Sequence, residues 1–150
     1  MFKLPESVLV LIHTPLLEVL LLERADFPGF WQSVTGSRAC ASETLAETCA
    51  RETAEETGLV RPPSAFRDLG LVHRYAIYPQ WRHRYAPEVT HNTEHVFGLQ
   101  VSEPFLPLLA PREHVRHRWL RWREAAEACF SWTNAQSIRA LAARCLRATD

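Results

Sequence analysis

Between Gly36 and Leu59 the chain reads G-S-R-A-C-A-S-E-T-L-A-E-T-C-A-R-E-T-A-E-E-T-G-L, with Glu52, Glu55 and Glu56 three and four residues apart near its end. On a helix that spacing sets all three carboxylates on one face within about one turn. Anionic oxygens so crowded repel one another unless a cation sits among them. A donor set of oxygen without nitrogen or sulfur suits a hard divalent ion, Mg2+ before Zn2+. Gly58 supplies the left-handed residue that ends such a helix, and Gly36 allows a tight turn before it. The expected helix runs from about Glu43 to Thr57, capped by Ser42 or Thr44. Its other face carries Ala46, Cys49, Ala50 and Thr53, residues small enough to let a sheet approach closely.

The flanking sequence supplies that sheet. Val8-Leu9-Val10-Leu11-Ile12 is an unbroken apolar run, expected as a strand buried on both faces. Pro15 interrupts it, and Val19 to Leu22 starts a second strand that ends at Glu23-Arg24. Ala25 to Phe30 reads as a loop, and Trp31 to Thr35 as a short strand leading into Gly36. After the Arg61-Pro62-Pro63 connector, Ala65 to Tyr78 reads as one or two strands and Pro79 to Pro87 as an irregular stretch. Glu94 to Val101 alternates as a further strand. Pro104, Pro107 and Pro111 mark a loop, Trp119 to Trp122 a short strand, and Arg123 to Phe130 a short helix. The last helix spans about Asn134 to Ala148, with Thr133 as its cap and Ile138, Leu141, Ala142, Cys145 and Leu146 as its apolar stripe. No repeat or linker divides the chain, so one α/β (α+β) domain over 1–150, a mixed sheet between helices, is the expected architecture.

A chain of 150 residues, 47% of them apolar, can bury a sizeable core. Lys plus Arg equals Asp plus Glu at 17 each, which disfavours a general nucleic-acid binder. Cys40, Cys49, Cys129 and Cys145 have neither C-x-x-C pairing nor zinc-ligand spacing and read as incidental thiols. The N-terminus has no signal-peptide pattern, and Val8 to Ile12 is too short to cross a membrane. A reduced cytoplasmic enzyme with no membrane and no protein partner is the economical expectation.

The Gly36–Leu59 segment resembles the signature of the Nudix family of pyrophosphohydrolases. Gly36, Glu43, Arg51, Glu52, Glu55, Glu56, Gly58 and Leu59 fill its positions. Two departures occur: six residues instead of five separate Gly36 from Glu43, and Thr53 stands where an aliphatic residue is usual. The resemblance implies the Nudix fold, with Glu52, Glu55 and Glu56 as ligands of Mg2+ (Mn2+ a possible substitute). Glu55 and Glu56 are then also catalytic, with Arg51 orienting Glu55 from one turn away. Glu43 reads as a helix-start residue favouring the dipole, ahead of an outer ligand.

Three further segments, Phe30 to Gly36, His83 to Glu94 and Ser131 to Gln136, resemble a bacterial subgroup whose substrate is dihydroneopterin triphosphate in folate synthesis. In that subgroup the Asn-Thr-Glu glutamate joins the metal site, which implies the same for Glu94. Arg82 and Arg84, flanking His83, suit phosphate oxygens, and Tyr85 beside them suits a flat ring. Trp31 is a candidate for stacking on the pterin and Gln32 for a ring edge, against bland readings as core aromatic and strand polar. Ser131-Trp132-Thr133 reads as a cap and staple of the last helix. The implied partner is a small-molecule triphosphate. Removal of pyrophosphate from a nucleotide such as dATP is the alternative, since both substrates join a planar heterocycle to a triphosphate. A silent ligand sensor is a third reading, countered by the intact glutamates.

Overall fold

The computed structural model describes residues 1–148. Seven strands form one sheet: β1 (Glu6–His13), β2 (Glu18–Arg24), β3 (Trp31–Gln32), β4 (Val34–Ser37), β5 (Arg67–Ala76), β6 (His91–Gln100) and β7 (His114–Arg121). Along its main path the order is β3-β2-β1-β6-β5, with β4 also on β1 and β7 also on β2. The β1–β6 pair is parallel and the others are antiparallel. Helix α1 is Leu45–Thr57, α2 is Trp122–Ala128 and α3 is Trp132–Ala148. The stretch expected to be irregular after Pro79 contains a 3-10 helix, Pro79–Arg84.

The apolar run in β1 explains the layering. Its side chains alternate, so Val8, Val10 and Ile12 join Cys49 of α1 in one core, while Leu9 and Leu11 join Ala125 of α2 and Ile138 and Leu141 of α3 in another. The sheet is thus covered on both faces, and both halves of the run are buried. Burying one such aliphatic side chain stabilises the fold by about 1.5–3 kcal/mol.

A fork in the sheet creates the site. β1 pairs with β2 only at His13↔Val19, and its first half pairs with β4 instead. The expected strand Trp31–Thr35 is therefore two strands, β3 on β2 and β4 on β1, divided at Ser33. Asn134 of α3 holds this vertex: its Oδ1 accepts from the Ser33 backbone N–H at 2.8 Å, and its Nδ2 donates to Ser33 Oγ at 3.0 Å. Helix α3 begins at Trp132, so Thr133 lies inside its first turn and is not its cap. Ser131 still bonds the Thr133 hydroxyl at 2.9 Å. Leu146, expected on the buried stripe, is exposed.

Candidate active site

Thr44 caps α1: its side chain accepts from the Glu47 N–H, and Glu47 reaches back to the Thr44 N–H. Gly58 closes the helix in the left-handed region at φ 77°. Gly36 serves differently from expectation. It lies within β4, outside the positive-φ glycines, and a Cβ there would stand 2.1 Å from Glu52 Cδ. The missing side chain is the space into which the Glu52 carboxyl packs.

Arg51 fixes that carboxyl. Its Nη1 donates to Glu52 at 2.8 Å, its Nε to Glu43 Oε2 at 2.8 Å, and its Nη2 to Glu43 Oε1 at 3.0 Å and to the Ser37 carbonyl at 2.9 Å. The expected partner, Glu55, lies farther off at 3.5 Å, with its side chain 51% exposed. Glu43 stands just before the cap of α1, and its main partner is Arg51. It accepts from Arg51, from Ala39 N–H at 2.8 Å and from the Thr48 hydroxyl at 2.7 Å. Those bonds, Arg51 first, hold its carboxyl at about 2. Arg51 itself is pushed upward, chiefly by Glu43.

Glu56 is 2% exposed, and its Oε1 has no hydrogen-bond partner. Burial first, then the neighbouring Glu52 and Glu113, raise its carboxyl well above the ordinary range. Partial burial raises Glu52 as well. His114 Nε2 lies 3.8 Å from Glu56 Oε1, and burial, with Arg24 nearby, lowers this imidazole to about 4. It is neutral at pH 7 and offers Glu56 no compensating charge. Carboxylates crowded in this way either keep a proton or take up a cation. The buried orphan oxygen, the cradle at Gly36 and the all-oxygen donor set fit a hard divalent ion. Among the described residues, no three His, Cys, Asp or Glu side chains stand preassembled around one point.

A cavity of about 640 Å3 opens in the fork and reaches α1. Of the expected residues, Arg51, Glu52, Glu55, Glu56, Gln32, Arg84, Tyr85 and Glu94 line it. Two of the expected residues, Arg82 and Trp31, do not line it. Arg82 turns instead to a shallower depression with Phe2, His83 and Pro87, because three residues per turn set Arg82 and Arg84 about 120° apart. Trp31 is absent from the cavity wall; it packs on the α2–α3 core, with the Arg116 and Arg118 guanidinium groups 5.5 and 5.6 Å from its ring. Glu94 lies on the sheet face opposite α1. It is in register with Ser7 and two residues before Val96, and Val96 belongs to the α2–α3 core.

The aromatic wall comes from Tyr78, Trp81 and Phe130, which pack on one another with ring centroids 5.5 to 5.8 Å apart. At the rim Asp26 accepts from Arg24 at 2.8 Å and from Trp81 Nε1 at 3.0 Å, and these bonds lower it to about 2. Arg24 stacks 4.2 Å from the Trp81 ring centroid. Sequence reasoning missed His114, Glu113, Asn134, Asp26, Trp81 and Phe130, which lie in loops or at element ends with no spacing to mark them.

A model of the NUDIX domain matches residues 3–141. The dihydroneopterin triphosphate diphosphatase of Haemophilus influenzae is 38% identical over 141 residues, spanning 92% of this chain and 87% of that protein. The protein of the same name from Escherichia coli K12 is 39% identical over 140 residues, 91% of each chain. The solved E. coli dihydroneopterin triphosphate pyrophosphohydrolase superposes with a TM-score of 0.83 at 37% identity, covering 92% of this chain and 94% of that one. A Listeria monocytogenes NUDIX hydrolase structure shares the fold at a TM-score of 0.78 and 22% identity, covering 98% and 97%.

Proposed function

The chain belongs to the NUDIX family, and from that premise we propose that it hydrolyses dihydroneopterin triphosphate to dihydroneopterin monophosphate and pyrophosphate with Mg2+. The fold is the Nudix fold, and enzymes of this family generally work with divalent metal ions. One observation carries the reading: a single cavity joins the crowded carboxylates of α1 to a wall of Tyr78, Trp81 and Phe130. That arrangement suits a molecule with a polyphosphate at one end and a flat ring at the other.

Glu52, Glu55 and Glu56 are the residues that would hold the ion, with Glu113 facing Glu56 as a further carboxylate. A divalent ion held there would supply charge neutralisation of the phosphates and a more acidic bound water. Glu56 lies deepest of the three α1 glutamates, with an oxygen left unpartnered. Arg51, bridged to Glu43, keeps Glu52 directed into the cradle at Gly36. Lys3, Arg84 and Arg112 line the mouth and draw in the anionic tail. Cytoplasmic residence remains part of the proposal; among the described residues no helix is long and apolar enough to cross a membrane.

The test is pyrophosphate release from dihydroneopterin triphosphate and from dATP with Mg2+. A higher kcat/KM for the pterin is expected. Preference for dATP would overturn the substrate assignment, and silence with both would favour a ligand sensor.

A further inference from the structure

The metal-helix reading leaves two buried acceptors on the other face of the sheet unexplained. Asn92 and Glu94 of β6 are 2% and 4% exposed, and Asn92 Oδ1 and Glu94 Oε1 have no hydrogen-bond partner. Both residues line the cavity. The Asn92 Nδ2 donates to Ser7 Oγ at 2.8 Å and to the Tyr75 hydroxyl at 3.1 Å. Only its oxygen is left to face a ligand. Glu94 Oε1 lies 3.6 Å from His73 Nδ1, beyond hydrogen-bond reach, and that nitrogen is unpartnered too. Buried acceptors are ordinarily satisfied, and an orphaned one costs about 1–3 kcal/mol. Two such acceptors, on residues that line the cavity, lack donors within the protein.

We propose that Asn92 and Glu94 read the aminopyrimidinone edge of the pterin, accepting its ring N–H and its amino hydrogens, so that Glu94 sets ring specificity and is not a metal ligand. This deepens the activity proposed above and rests on it for the identity of the ring. The two residues are two apart on one strand, so their side chains share a face with backbones about 7 Å apart. A carboxylate accepts two parallel N–H groups side by side, as it does from a guanidinium. The 2-amino-4-oxo edge presents that pair, N3–H beside the 2-amino group, and leaves one amino hydrogen for the Asn92 oxygen. Adenine presents an amino group beside an acceptor nitrogen, which would face the carboxylate lone pair to lone pair. Tyr78 and Phe130 supply the aromatic surface alongside. The opposite sheet faces of Glu94 and α1 separate ring recognition from phosphate chemistry.

The test is Glu94→Gln in the full chain, assayed on dihydroneopterin triphosphate and on dATP across a Mg2+ titration. Binding of dihydroneopterin, which carries no phosphate, is measured calorimetrically in EDTA alongside. The expected result is a roughly 10- to 100-fold loss in kcat/KM for the pterin substrate, expressed in KM. Activity on dATP rises relative to the pterin substrate, because the new amide donates to the adenine nitrogen that the carboxylate repelled. The Mg2+ requirement is unshifted, and dihydroneopterin binding weakens in parallel. The thermal midpoint holds or rises, because an unpaired buried carboxylate is removed. Equal losses on both substrates with a raised Mg2+ requirement would overturn the proposal in favour of a metal ligand. Cleavage of the pterin substrate with Glu94→Gln unimpaired would also overturn it, while sparing the activity. Wild-type protein that binds dihydroneopterin through Glu94 but releases no pyrophosphate from its triphosphate would support the site and sink the activity.

Discussion

At the scale of single residues, the site depends on atoms that are absent or unpaired. Gly36→Ala sets a Cβ 2.1 Å from Glu52 Cδ, so the carboxyl must leave its cradle. A displacement of this size costs about 100-fold in rate, and a steady-state assay of kcat should show it with the far-UV spectrum unchanged. Glu56→Gln should lower kcat by orders of magnitude yet stabilise the metal-free protein. The sign follows from burial: the folded carboxyl is raised above its ordinary 4.5, so its favourable contribution is present below that pH and lost as pH rises through the folded value. Melting curves in EDTA should therefore show the variant above the wild type at pH 8, with the gap closing towards pH 4. Excess Mg2+ should narrow the gap at pH 8. A variant less stable than wild type in EDTA at pH 8 would contradict the electrostatic account of the site.

At the scale of elements, α1 is a preassembled arm. Its left-handed end at Gly58 was legible from the sequence, and Thr44 was one of two expected caps; the Glu47 half of the capping box decides for Thr44 over Ser42. Thr44→Ala should cost about 1 kcal/mol in urea unfolding, with kcat little changed. The Arg51–Glu43 bridge was not legible. An eight-residue separation across a helix start has no periodic signature, and only the loop from Arg38 to Glu43, folded by Arg38 Nε on the Glu43 carbonyl at 3.0 Å, brings the pair together. Arg51→Lys keeps the charge and loses the two-pronged grip, so kcat should fall at least tenfold. A wild-type rate would show that charge alone suffices. The β3–β4 break was hidden for a similar reason, since Trp31 to Thr35 reads as one strand until the partner of each half is known.

At the scale of the molecule, the apolar run of β1 announced a sheet buried on both faces, and the glutamate spacing announced where the charge would gather. The cavity was legible only in part. Gln32, Arg84 and Tyr85 reach it, while Trp31 and Arg82 turn elsewhere, because which way a short strand or 3-10 turn faces is decided by neighbours distant in sequence. Asn134 shows how distant: 101 residues from Ser33, it spans the vertex of the fork. Asn134→Ala would orphan the buried Ser33 N–H and should cost about 1–3 kcal/mol in chemical denaturation. The fork has a wider consequence. Since the cleaving apparatus hangs from α1 and the ring contacts come from β6 and the loops carrying Tyr78, Trp81 and Phe130, a lineage could exchange the head group it accepts by altering those segments, leaving the hydrolytic engine untouched.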